Sequence, residues 1–269
     1  MRVGIIGYGS MGKMLLNKFS KNDIISKDNL LVSNRTTEKL REVDNISTIL
    51  NNKEVARNAD ILFLCIKPVD YVNVLNEIKD SIKKDSLVIS LNGSISFKTI
   101  HKSIDNKLAK VIPSLTAEIN RSNTLVCFDE LVLDNDKLHL KELLKSFGNV
   151  IELSEDEMGM GSELVSCMPG FIASIFDTIT IEAEKHTSIP KDEIIKMVLS
   201  TLSATADLMI KNNMTFKDVT DRVSTKGGIT IEGTNVIYEK FPKIANELFI
   251  KTLEKRKETK EKVEEEFNK

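Results

Sequence analysis

Glycine stands at positions 7, 9 and 12 of this chain, in the run Gly7-Tyr8-Gly9-Ser10-Met11-Gly12. That spacing suits the pyrophosphate of a dinucleotide. Gly7 permits a tight turn, Gly9 lets the phosphates approach the backbone, and Gly12 lets a helix pack closely on the preceding strand. The amides of Ser10 and Met11, at the start of that helix, then face the phosphates. A ligand-free glycine turn is spelled the same way, and context separates the two readings. Here an apolar run, Val3 to Ile6, comes directly before the glycines, and a helical stretch, Lys13 to Phe19, follows.

An enzyme of this kind chooses its cofactor at the end of the second strand, where an NAD enzyme carries a carboxylate for the ribose hydroxyls. This chain has Ser33-Asn34-Arg35-Thr36-Thr37 there, with no carboxylate. Arg35 can pair with a 2′-phosphate, with Ser33 and Thr36 donating further hydrogen bonds. The alternative, an arginine idle at a helix start, is opposed by the helix dipole. The expected cofactor is therefore NADP(H), with NAD(H) second. Lys67-Pro68 and Asn92-Gly93 close two later strands, at the edge where open α/β sheets bind ligands.

The elements that must position these residues alternate. Strands are expected at Asn29–Ser33, Ile61–Ile66, Leu87–Leu91, Lys110–Ile112, Asn123–Phe128 and Val150–Leu153. Between them come helices at Thr37–Val43, Asn52–Asn58, Val69–Ile82, Phe97–His101 and Leu138–Ser146, with a short element at Ile46–Leu50. This is the βαβ rhythm of a mainly parallel sheet. After Asp156 the strand pattern ends. Leu164, Met168, Phe171, Ile172, Ile175, Phe176 and Ile179 recur at helical spacing, with Pro169 predicting a kink or opened turn. Ile194 to Met209 forms another helix and Thr215 to Val219 begins a further one. Helices apolar on more than one side require a cover. The segment from Ile250 to Lys269, rich in Lys and Glu, reads as a solvated helix. The expected architecture is an α/β Rossmann domain, residues 1–155, followed by an all-α domain, residues 156–269. Between its helices lies Val223 to Gly233, whose Gly227-Gly228 pair either holds a carboxylate or makes an interhelical turn.

Composition narrows the function class. Of 269 residues 41% are hydrophobic and 29% charged, as in a globular protein, and a net charge of −2 gives no reason to expect nucleic acid or an anionic membrane as partner. No transmembrane span is expected, and a strand opening at residue 3 leaves no room for a leader, so a cytoplasmic location is expected. Cys65, Cys127 and Cys167 suit a reducing compartment. His101, His139 and His186 have no metal-ligand spacing, so no metal is expected.

With both halves in view, the chain resembles the pyrroline-5-carboxylate reductase family over nearly its full length. Four stretches carry the resemblance: Gly7 to Gly12 with Ser33-Asn34-Arg35, Ala59-Asp60 through Lys67-Pro68, Ser166 to Phe171, and Val223 to Gly233. The resemblance implies a Rossmann domain and a helical domain that interleaves with a partner's, giving a homodimer or a multiple of dimers. It implies NAD(P)H-dependent reduction of the C=N bond of pyrroline-5-carboxylate, a small-molecule substrate, to proline, and so a place in proline biosynthesis. By the same resemblance Thr230 stands near the substrate imine. Gly227 and Gly228 hold the carboxylate, with Thr225 and Ser166 beside the substrate. The family's S-P-G-G-T-T loop is here Thr225-Lys226-Gly227-Gly228-Ile229-Thr230, and its S-G-S-G-P-A-Y helix start is Val165-Ser166-Cys167-Met168-Pro169-Gly170-Phe171. Its M-P-N-T-P is Ile112-Pro113-Ser114-Leu115-Thr116. These departures look more like the family's late-competence, ComER-like branch.

Two further readings stand beside the reductase. One is a competence-related or regulatory member that keeps the nucleotide site without turnover, which Lys226 and Ile229 favour. The other is a β-hydroxyacid dehydrogenase, which wants a catalytic lysine in the helical half; Lys185 and Lys191 lie there in no recognisable motif.

Overall fold

The computed structural model describes residues 1–21, 25–42 and 51–268. The short element expected at Ile46–Leu50 lies outside them. Seven strands form one sheet: β1 Val3–Ile6, β2 Leu30–Ser33, β3 Ile61–Leu64, β4 Leu87–Ser90, β5 Lys107–Ile112, β6 Ser122–Phe128 and β7 Gly148–Glu152, in the order β2-β1-β3-β4-β5-β6-β7. Every neighbouring pair is parallel except β5 with β6. Helices cover both faces: α1 Ser10–Lys21, α2 Asn52–Asn58, α3 Tyr71–Ile78, α4 Phe97–Ile100 and α5 Asp134–Lys145.

The strands are apolar on both sides because both sides are covered, which is why Val-Gly-Ile-Ile and Ile-Leu-Phe-Leu read as unbroken runs without alternation. One core gathers Phe19, Phe63 and Phe147; the opposite one gathers Tyr71, Leu75 and Ile78 against Leu62 and Val88. Tyr71 can be buried with its hydroxyl because that group lies 2.7 Å from Ser90 Oγ. The expected helix at Val69–Ile82 is shorter, with 3₁₀ turns at Pro68–Asp70 and Lys79–Ser81 on either side of α3.

The later chain is helical: α6 Met158–Ser162, a π-helical turn Glu163–Cys167, α7 Met168–Glu184, α8 Lys191–Lys211, α9 Phe216–Val223 and α10 Ile229–Phe267. The opened turn expected at Pro169 is this π turn, set just ahead of the proline. A proline lacks the N–H that would close the preceding turn, and a shift to longer-range bonding absorbs the loss. The run Met158–Glu184, 27 residues, is long and apolar enough to cross a membrane by length and composition, which the sequence reading did not anticipate.

Two compact units result, Met1–Pro169 with the C-terminal residues from Leu253, and Gly170–Thr252. The first unit therefore keeps two segments expected in the helical domain, residues 156–169 and the end of α10. That end is not simply solvated. Val263 is buried, Arg256 Nη2 donates to Glu163 Oε1 at 2.7 Å, and Lys102 Nζ donates to Asn268 Oδ1 at 2.6 Å.

Candidate functional site: a dinucleotide cleft and a glycine loop

β1 stops at Ile6, and Gly7 takes φ +100°, a conformation that side chains disfavour. A Cβ on Gly7 would meet the Cys65 carbonyl oxygen at 2.4 Å, and one on Gly12 would meet the Gly7 carbonyl oxygen at 2.0 Å. Gly9 has nothing within 4 Å of such an atom, so its backbone is open to a ligand. Ser10 begins α1, and Met11 beside it packs on the core below. Strand, turn and helix thus present the bare amides that a pyrophosphate requires.

Three strand ends close the cleft around that turn. The Gly7 N–H donates to the Ser33 carbonyl at 2.9 Å, and the Tyr8 N–H donates to Asn34 Oδ1 at 3.0 Å, tying the loop after β1 to the loop after β2. Asn34 Nδ2 donates to the Thr36 carbonyl at 2.8 Å, which shapes the loop carrying Arg35. The resulting cleft, about 500 Å³, is lined by Gly7, Tyr8, Gly9, Asn34, Arg35, Thr36, Lys39, Asn52, Cys65, Lys67, Asp70, Asn73 and Glu77, among others. Arg35 is 89% exposed and lies 3.5 Å from Asp70. Lys67 lines the cleft and Pro68 follows it as the first residue of a 3₁₀ turn. Asn92 folds the turn after β4: its N–H donates to Ser90 Oγ at 3.1 Å, and its Oδ1 accepts from the Ser94 N–H at 2.8 Å.

Ser33 departs from its expected role. It is buried, and its hydroxyl donates to Asn52 Oδ1 at 2.7 Å, so its one hydrogen is committed inside the protein. Sequence reading missed Lys39, Asn52, Asp70 and Glu77. A signal existed for Lys39, four residues after Arg35 in a helical stretch. One existed for Asn52 too, in the capping box that Asn51 and Glu54 form at the start of α2. Cys65 borders the cleft, but burial pushes its thiol far above the usual cysteine range, so it offers no thiolate. Burial also raises the Cys167 thiol, and the Glu163 carboxylate beside it adds to the rise. Among the described residues no group of three His, Cys, Asp or Glu side chains could hold a metal ion.

The second group of expected residues lies elsewhere. Ser166 sits half-buried in the π turn of the first unit. Thr225, Gly227, Gly228 and Thr230 belong to the helical unit, where they lead into α10. Gly227 takes φ +77° and the Gly228 N–H donates to the Thr225 carbonyl at 2.8 Å. That bond corrects one expectation, because the Gly228 amide is spent on closing the turn. The first-turn amides of α10, beginning at Ile229, remain donors without intrahelical partners. Sequence reading also passed over Ser224, whose Oγ is buried without a partner. Lys185 and Lys191 form surface ion pairs with Glu182 and Glu184.

Comparison with known proteins matches the two regions separately. Residues 2–93 fit the model for NADP oxidoreductases, coenzyme F420-dependent, and residues 155–259 fit the model for pyrroline-5-carboxylate reductase dimerisation. Pyrroline-5-carboxylate reductase 3 of Bacillus subtilis is 30% identical over 260 residues, 94% of this chain and 95% of that protein. The chain belongs to the pyrroline-5-carboxylate reductase family. Members of this family are NAD(P)H-dependent oxidoreductases. ComE operon protein 4 of the same organism is 26% identical over the whole of both chains. Among solved structures, the Plasmodium falciparum pyrroline carboxylate reductase with NADP bound superposes at a TM-score of 0.87, with 22% identity, 97% of this chain and 98% of that one covered. The Streptococcus pyogenes enzyme gives 0.86, with 23% identity, 96% of this chain and 98% of that one covered. These two likenesses establish the reductase fold, and the family assignment rests on the Bacillus subtilis relative.

Proposed function

We propose that this reductase-family chain uses NADPH to reduce a cyclic imino acid, pyrroline-5-carboxylate, to proline in the cytoplasm, as a homodimer or a multiple of dimers. The open Gly9 backbone, set in a cleft that Arg35 and Lys39 also line, carries the reading. It has the donors for a pyrophosphate and the cations for a 2′-phosphate, and the Plasmodium falciparum relative binds NADP. The cofactor supplies a hydride. The imine carbon receives it, the ring nitrogen holds a proton, and one NADPH is consumed for each proline formed.

The chain's residues position and polarise. Gly9 leaves room for the phosphates, and Gly7 and Gly12 shape the turn beneath them; Arg35, with Lys39, holds the 2′-phosphate. In the helical unit, the amides at Gly227 and the first turn of α10 hold the substrate carboxylate. The Thr230 hydroxyl hydrogen-bonds at the imine nitrogen. Such a site needs no activated cysteine, which agrees with the raised thiols of Cys65 and Cys167. The regulatory reading keeps one specific support, Ile229, a 94% exposed apolar side chain where the family carries threonine.

Following NADPH oxidation with pyrroline-5-carboxylate, and proline formed, tests the proposal. Equimolar NADP⁺ and proline is the expected result. NADPH binding without oxidation by any cyclic imine would replace the reductase with the regulatory reading.

A further inference from the structure

The cleft carries charges of both signs. From the chain after β2 come two cations, Arg35 and Lys39; from the chain after β3 come a third, Lys67, and two carboxylates, Asp70 and Glu77. Asp70 Oδ1 lies 3.5 Å from Arg35 Nη1 and partly neutralises it. Glu77 Oε2 accepts a 2.8 Å hydrogen bond from Asn52 Nδ2, and Asn52 Oδ1 accepts the Ser33 hydroxyl at 2.7 Å. A carboxylate can only accept, so Glu77 fixes which way the Asn52 amide faces.

We propose that Asp70 and Glu77 set the cofactor preference of this chain, by opposing the 2′-phosphate that Arg35 and Lys39 attract. The inference rests on the dinucleotide reading of the cleft and extends it to specificity. A 2′-phosphate brings close to two negative charges near neutral pH. Carboxylates in the same cleft repel it, whereas a ribose hydroxyl donates to them. Preference for NADPH over NADH is therefore moderate in the native protein, and releasing either carboxylate's charge raises it. Glu77 acts partly as a positioning residue, through Asn52, and partly through its own charge. The two roles separate chemically, because glutamine keeps an acceptor for Asn52 and loses the charge.

The experiment measures dissociation constants of NADPH and NADH by fluorescence titration, for the full-length protein and for Asp70→Asn, Glu77→Gln and Glu77→Ala, at low and high salt. Asp70→Asn and Glu77→Gln should each tighten NADPH about three- to tenfold and leave NADH within about twofold, with the gain shrinking in high salt as a charge effect must. Glu77→Ala should weaken NADH, because Asn52 loses its acceptor, and still raise the NADPH-to-NADH ratio, because the charge is lost as well. An unchanged NADPH-to-NADH ratio in both Asp70→Asn and Glu77→Gln, with both cofactors bound, overturns this inference alone. Parallel weakening of both cofactors in Glu77→Gln overturns the charge role of Glu77. Native protein that binds neither cofactor overturns the inference together with the dinucleotide reading beneath it. Turnover enters none of these outcomes.

Discussion

The two units of this molecule both contain apolar stretches and finish them differently. In the sheet unit, β1, β2, β3 and β4 are buried at every position, between helices supplied by the same chain. In Gly170–Thr252 only Thr180 and Ile194 are buried, while Ile179, Met197, Leu199, Leu208 and Ile210 stay exposed. A β-strand inside a parallel sheet obtains its cover within its own fold. Long helices such as α7 and α8 carry apolar stripes that their own unit leaves open. The dimerisation model spans this stretch, so a second copy is the cover we propose.

The largest effect expected from breaking this contrast lies where the sheet unit holds the end of α10. The Glu163 side chain is 2% exposed and Arg256 21%. Arg256→Met strands a buried carboxylate and should cost about 3–5 kcal/mol of stability in denaturant titration. Phe63→Ala should cost a similar ~3–5 kcal/mol through its cavity. Neither loss should depend on protein concentration, because the partners lie in one chain. In the helical unit, Thr230→Ala should lower kcat/KM about ten- to a hundredfold, some 1.4–2.7 kcal/mol, with NADPH binding unchanged in titration. Equal turnover would remove Thr230 from the imine. Back in the sheet unit, Arg35→Ala should weaken NADPH about tenfold, near 1.4 kcal/mol, and leave NADH almost untouched. The smallest effect is pH-dependent. Burial raises the Asp60 carboxyl, but Lys83 and the Arg2 backbone N–H outweigh it and hold the group below its ordinary value. Its stabilisation is therefore present above the unfolded value near pH 4 and lost as pH falls through the folded one. Asp60→Asn should lower the denaturation midpoint at pH 7, by an amount that shrinks as the pH falls below the unfolded value.

The same contrast explains what the sequence shows and what it hides. Gly7, Gly9 and Gly12 are legible because their chemistry is local: a turn, an approach and a close packing within six residues. The unbroken apolar runs of β1 and β3 announce strands covered on both faces. The packing of the last segment is not legible, since Arg256 looks like a member of a charged helix until Glu163 comes beside it, and Val263 until it joins the apolar core. Ser33 misleads for a similar reason. Its position marks it as a phosphate donor, and only the packing of α2 shows the hydroxyl spent on Asn52. Glu77 carries no local signal at all, because what brings it to the cleft is the pairing of β3 beside β1.

The claim that the helical unit is completed by a second copy is tested most directly by light scattering on the full-length protein across a dilution series. The chain weighs 30.2 kDa. The account predicts twice that mass, or an even multiple, held at micromolar concentration by an interface burying about 2,000 Å² or more. It predicts also a thermal midpoint that falls on dilution, since association stabilises by mass action. A stable monomer at micromolar concentration, with a midpoint independent of dilution, would contradict it.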